Sequence, residues 1–176
     1  MIINIITIAS FGLLAGVIIG LIIGSFRYPS WEVKKMFKIY KSRTTRKNEW
    51  WNIYEFANHT NHEIVKPNCD TLYSTIFINL DESDYKLKFP EMRNMYFSFT
   101  FLRSNTDVLG YINNRNAVGK NEFILTNKKG ISNHEIPVKY LNTKLCWIIA
   151  RFGVSAIDNI PEINKLQKKL VISNEY

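Results

Sequence analysis

The residue types most able to do chemistry gather between positions 59 and 74. His59 and His62 are spaced so that two imidazoles could share one helix face, with Glu63, Asp70 or His134 completing a metal site. Neither histidine has a partner at a recognised zinc spacing, so no metal and no other cofactor is expected. The run Lys66, Pro67, Asn68, Cys69, Asp70, Thr71, Leu72, Tyr73, Ser74 is more distinctive. Pro67 fixes the backbone, Asn68 and Asp70 can bond back to neighbouring amides in an Asx turn, and Thr71 leads into a strand. That structural reading is sufficient by itself. A catalytic reading makes Asp70 a general base or ligand, with Tyr73, Asp107 or Arg115 nearby, because paired carboxylates in a cleft can split their pKa values. Asp70, Tyr73 and Asp107 are thus the candidate catalytic residues.

Strands must position these groups. From residue 64 the hydrophobic period changes from helical to alternating, and short runs rich in β-branched and aromatic residues cover 72–80, 85–89, 95–102, 107–112 and 122–126, separated by Pro, Gly, Asn and Asp. Phe97, Phe99 and Phe101 alternate with Ser98 and Thr100, which predicts a half-buried strand. Residues 145–152 are apolar on both faces and read as a central strand, a buried helix being the alternative. A closing helix is predicted where Asp158 or Asn159 caps, Pro161 and Glu162 fill the first turn, and Ile163, Leu166, Leu170 and Val171 form the buried stripe. Before the strands, Ser30 can cap a helix over 31–42. Its apolar face of Val33, Met36, Phe37 and Tyr40 opposes Lys34, Lys38 and Lys41, with Lys35 beside them, so it suits either the lipid headgroup layer or docking on its own domain.

The first two dozen residues differ in kind. Residues 2–24 form an uncharged apolar run, ~34 Å long as a helix against a hydrocarbon core of ~30 Å. It lacks the basic start and small-residue cleavage site of a secretory signal, so a retained anchor is expected. Gly12, Gly16, Gly20 and Gly24 recur every fourth residue, which gives one helix face a smooth strip suited to a partner's backbone. Membrane lipid and a second spanning chain, either a companion or another copy, are the expected partners.

Of 176 residues, the span leaves about one domain's worth. An aromatic content of 14% argues against disorder. The net charge of +8 falls wholly after the span. It suits an anionic surface, but nucleic acid is not expected, because the basic and aromatic stretch from Lys41 to Trp51 lacks any recognition fold. With only Cys69 and Cys146 there is no disulfide framework. Cys146 is expected to pack as a small hydrophobe, a single bridge between the two being the alternative. Phosphate-loop, dinucleotide-turn and nucleophile-elbow motifs are all missing, which counts against the commonest enzyme classes.

The run from Lys66 to Ser74 resembles the [RK]-P-N-x-D-T-L-Y-S signature of the family called domain of unknown function 1254. The likeness continues through Leu80, Pro90, Tyr96, Phe99, Asp107, Tyr111 and Arg115 and resumes at Trp147, Arg151, Asp158 and Gln167. Asn68, Arg115 and Arg151 are the candidate ligand-binding residues at the matched positions. The resemblance implies a β-rich fold, no established reaction, usually an export signal, and often a second domain, numbered 1214, for which no room is left before Tyr176. A separate companion protein is therefore expected.

The expectation is an α+β chain. It comprises a transmembrane anchor (1–25), a juxtamembrane amphipathic helix and linker (26–60), and a β-rich sandwich or partial barrel with flanking helices and a C-terminal helix (61–176). The cluster of Lys and Arg after the span places the domain in the cytoplasm by the positive-inside rule, whereas the resemblance implies export. The periplasmic side is preferred. Functionally, a binding or assembly module is expected, with an envelope enzyme, a hydrolase or metal-dependent activity, as the alternative.

Overall fold

The computed structural model describes residues 2–56, 69–92, 95–133 and 135–174, with side chains from residue 8 onward. The chain opens with α1 (Ile2–Arg43), a single helix of 42 residues. From Ile8 onward the helix contains a stretch long and apolar enough to cross a membrane, none of which is buried against the rest of the chain.

Contrary to expectation, no separate helix starts at Ser30. Pro29 sits inside α1, where its missing N–H removes one i→i−4 bond, that to the Ser25 carbonyl. The turns on either side carry the helix through, so Ser30 has no helix start to cap. The second half of α1 docks on the chain's own sheet instead of lying free for a headgroup layer. Val33 and Tyr40 are buried, and Met36 and Phe37 pack beside them. The Phe37 ring meets Phe77 edge-on at 5.1 Å and Tyr40 meets it at 5.4 Å. Lys34, Lys35, Lys38 and Lys41 stay exposed on the opposite face.

Nine strands follow among the described residues: β1 (Trp51–Ile53), β2 (Thr71–Asn79), β3 (Tyr85–Lys88), β4 (Phe97–Leu102), β5 (Val108–Asn113), β6 (Glu122–Thr126), β7 (Val138–Tyr140), β8 (Leu145–Gly153) and β9 (Val171–Asn174). A 3₁₀ turn (Ile157–Asn159) and α2 (Ile160–Gln167) lie between β8 and β9. They form a five-stranded sheet ordered β1-β2-β8-β4-β5 and a four-stranded sheet ordered β7-β6-β3-β9. All pairs are antiparallel except β6 with β7. The protein is α+β, as its sequence pattern predicts.

Strand β8 shows why the sheets pack. Cys146, Ile148, Ala150 and Phe152 are buried while the intervening residues are half-buried. The register sets Leu72 and Phe97 either side of Phe152, and Ile76 and Phe101 either side of Ile148, all on the inner face. Phe89 closes this core from the smaller sheet, 4.9 Å from Phe99 and 6.1 Å from Phe123. Each such ring contributes about 1.5–3 kcal/mol on burial.

Three local expectations give way to tertiary context. All six residues of β4 are buried, because it lies between β8 and β5 and its outer face is also covered. Val171 is exposed in β9 instead of joining the stripe of α2. Asn159 holds the cap position of α2, but its side chain donates to Ser155 Oγ at 2.7 Å and not back to the helix amides. Both cysteines are free, Cys69 exposed and Cys146 buried, and burial pushes the Cys146 thiol up to about 12.

Candidate functional site

Asp70, at the entry to β2, is the first described residue of the signature after Cys69; His59, His62 and Asn68 lie outside the described residues, as do Glu63 and His134. At this end of the large sheet two backbone bonds continue the pairing beyond the strands. Val154 N–H donates to the Asp70 carbonyl at 2.7 Å, and Gly153 N–H donates to the Tyr96 carbonyl at 2.8 Å. A side chain at Gly153 would put its Cβ 3.0 Å from the Tyr96 Cβ, so the close approach favours glycine and any larger residue must push Tyr96 aside.

These crossings frame a cleft of about 720 Å³, lined among others by Asp70, Tyr96, Arg151, Ser155, Asn159 and Glu162. Its volume is within the range of small-molecule sites. Arg151 reaches it from the outer face of β8, where register places Tyr73 and Ser98 on either side. Its guanidinium lies 5.7 Å from the centre of the Tyr73 ring and donates from Nη1 to Thr100 Oγ1 at 2.7 Å. Stacking and a hydrogen bond together fix the planar fork while leaving other N–H donors for a ligand. Among the described residues Arg151 has no carboxylate partner.

Gln167 holds α2 against this end of the molecule. It is fully buried, and its Nε2 donates to the Tyr73 carbonyl at 2.9 Å, to Ser74 Oγ at 3.1 Å and to the Ile53 carbonyl at 3.2 Å. One amide thus joins α2 to β1 and β2 and keeps Asn159 and Glu162 beside the cleft.

Of the candidates from sequence, Asp70 and Arg151 line one cleft, and Tyr73 lies against the Arg151 guanidinium. Asp107 does neither. It sits in the β4–β5 hairpin, paired with Arg103 at 3.7 Å and bonded by Asn105 Nδ2 at 2.8 Å. The register of β4 against β8 puts that hairpin at the opposite end of the sheet, roughly 20 Å away for six residues at ~3.3 Å each. Arg115 follows β5 at the same end as Asp70, its N–H donating to Asn113 Oδ1 at 3.0 Å. Two strands intervene between β2 and β5, which separates Arg115 from Asp70 by about 14 Å across the sheet. Sequence reasoning missed Ser155 and Glu162, whose part in the cleft follows from the packing of α2 and has no signature in spacing. Among the described residues no cluster of three metal-binding side chains occurs.

One solved structure shares this architecture, and a second is similar more weakly. The VPA0106 protein from Vibrio parahaemolyticus superposes with a TM-score of 0.64 at 14% identity, over 85% of this chain and 36% of that one. A putative uncharacterized protein from Burkholderia cenocepacia gives a TM-score of 0.47 at 14% identity, over 76% of this chain and 38% of that one. The chain therefore spans little more than a third of the length of these structures. No curated protein matches it. The family model described as "Protein of unknown function (DUF1254)" matches residues 47–174, most of the chain and all nine described strands, and the protein belongs to that family.

Proposed function

We propose that the protein is a single-span membrane protein whose β-rich domain is a binding or assembly module working with a companion protein. The observation that carries this reading is α1 itself. A stretch from Ile8 onward is apolar and unburied, and the second half is docked into the domain's packing. The strip of Gly12, Gly16, Gly20 and Gly24 is open along its whole length, since a Cβ at any of them meets nothing within 4 Å in this chain. That space suits the close approach of a second helix. The family resemblance favours the exported side for the domain. Resistance to alkaline carbonate extraction tests the span, and a reporter fused after Tyr176, active on one side of the membrane only, tests the side. Co-purification in mild detergent tests assembly, and a full-length protein that stays alone and monomeric overturns it.

A second reading is an enzyme centred on the cleft, favoured by Asp70 and Arg151 lining it together, with Tyr73 against the guanidinium. Asp70→Asn separates the two roles of the aspartate. Lost stability identifies a structural turn, whereas an intact fold with lost ligand binding or turnover identifies a site.

A further inference from the structure

Three charged side chains line the cleft, Asp70, Arg151 and Glu162, and Arg151 and Glu162 do not neutralise each other. Arg151 is half-buried, held by Tyr73 and Thr100, and Glu162 is exposed in the first turn of α2. Both line the same cavity, yet neither forms an ion pair among the described residues, so their charged atoms stand more than 4.0 Å apart. A protein that only needed to stabilise these charges could pair them. Separated across a cleft, they complement a ligand that bears both signs. We propose that the cleft binds a small zwitterion of amino-acid type, its carboxylate toward the Arg151 fork and its ammonium toward Glu162.

The rest of the lining fits that ligand. The guanidinium is planar and pre-oriented, which suits the two oxygens of a carboxylate. Ser155 and Asn159 add neutral polar groups near Glu162, while Met95, Tyr96 and Val154 supply an apolar wall for a short carbon chain. Because Arg151 is already restrained, binding orders little beyond the ligand. The inference rests on the reading of the domain as a binding module and names the class of molecule bound.

The test is calorimetric titration of the full-length protein in a non-ionic detergent with glycine, 4-aminobutyrate and 6-aminohexanoate. Acetate, butyrate and hexanoate provide the carboxylate alone, and butylamine and hexylamine the ammonium alone. At least one amino acid is expected to bind about tenfold or more tightly than either single-charge counterpart, a difference of about 1.4 kcal/mol. Arg151→Gln and Glu162→Gln should each remove about that factor. Should Arg151→Gln fail to fold, Ser155→Trp fills the cleft from an exposed position and should abolish binding with the melting temperature kept. Equal binding of the simple carboxylates overturns the zwitterion while leaving the cleft as a binding site. Binding unchanged in Ser155→Trp places the ligand elsewhere and overturns the proposal. So does a folded protein that takes up none of these probes, and neither result touches the membrane extraction or co-purification that test the anchored module.

Discussion

The Phe77 ring stacks on Trp147 at 5.3 Å and 8°, and its other neighbours are the α1 rings of Phe37 and Tyr40. One side chain thus joins the helix to two adjacent strands of the large sheet. Phe77→Ala is expected to cost about 3–5 kcal/mol through lost burial and the cavity left behind. Denaturant unfolding in detergent measures it. Trypsin should then cut at Lys38, Lys41 and Arg43 faster than in the unmodified protein, because the helix loses its main contact with the domain.

Gly153→Ala tests the crossing at the cleft. The added methyl would meet Tyr96 at 3.0 Å, and relieving that contact must shift the Tyr96 segment. A destabilisation of about 1–3 kcal/mol is expected with the fold retained, together with weaker binding of any ligand in the cleft. Thermal melts and titration of the same sample read both effects.

Gln167→Leu preserves volume and removes at once the three contacts that its two amide hydrogens share. Ser74 and the Ile53 and Tyr73 carbonyls are left with poorer partners in the interior, which costs about 1–3 kcal/mol. Asn164→Ala, which removes one 3.3 Å bond to the Tyr54 carbonyl, should cost clearly less. The ratio of the two, read from denaturant midpoints, checks whether α2 is held mainly by the buried amide.

Alkaline pH should destabilise the domain. Burial raises the Tyr40 phenol from 10.0 to about 12 and the Cys146 thiol from 9.0 to about 12. The unfolded chain therefore releases these protons first, so stability is fully present below pH 9 and falls as pH rises from there through about 12. In Tyr40→Phe the slope between pH 10 and 12 should be shallower. An unchanged slope would mean that the phenol is not buried against Phe77.

Much of this architecture is legible from residue types, and the reason is local. The segments 72–80, 122–126 and 145–152 are long or strongly patterned, and each forms a strand close to those bounds. β1, β7 and β9 span three or four residues each, too few for an alternating period to register, so they are defined only by the neighbours they pair with. Pro29 and Ser30 resemble a stop and a start, yet one missing hydrogen bond does not break a helix whose downstream turns are fixed by Val33 and Tyr40. The cleft was half legible. Asp70 and Tyr73 share a continuous run, but the placing of Arg151 in one cleft with Asp70 and against Tyr73 depends on strand register and that of Glu162 on the packing of α2, and neither is written in sequence spacing.

The unbroken course of α1 has a mechanical consequence. From Gly24 to Val33, the first buried contact of the docked half, the helix rises ~14 Å without a loop. A flexible linker would let the domain swivel freely; a helix acts as a mast, so any tilt or rotation of its apolar half turns the domain and reorients the mouth of the cleft. Pro29, where one backbone bond is missing, is the joint at which that mast can bend. Tilt of the apolar half is thereby passed to the domain as a rigid-body movement, with no need for a change inside the β-domain.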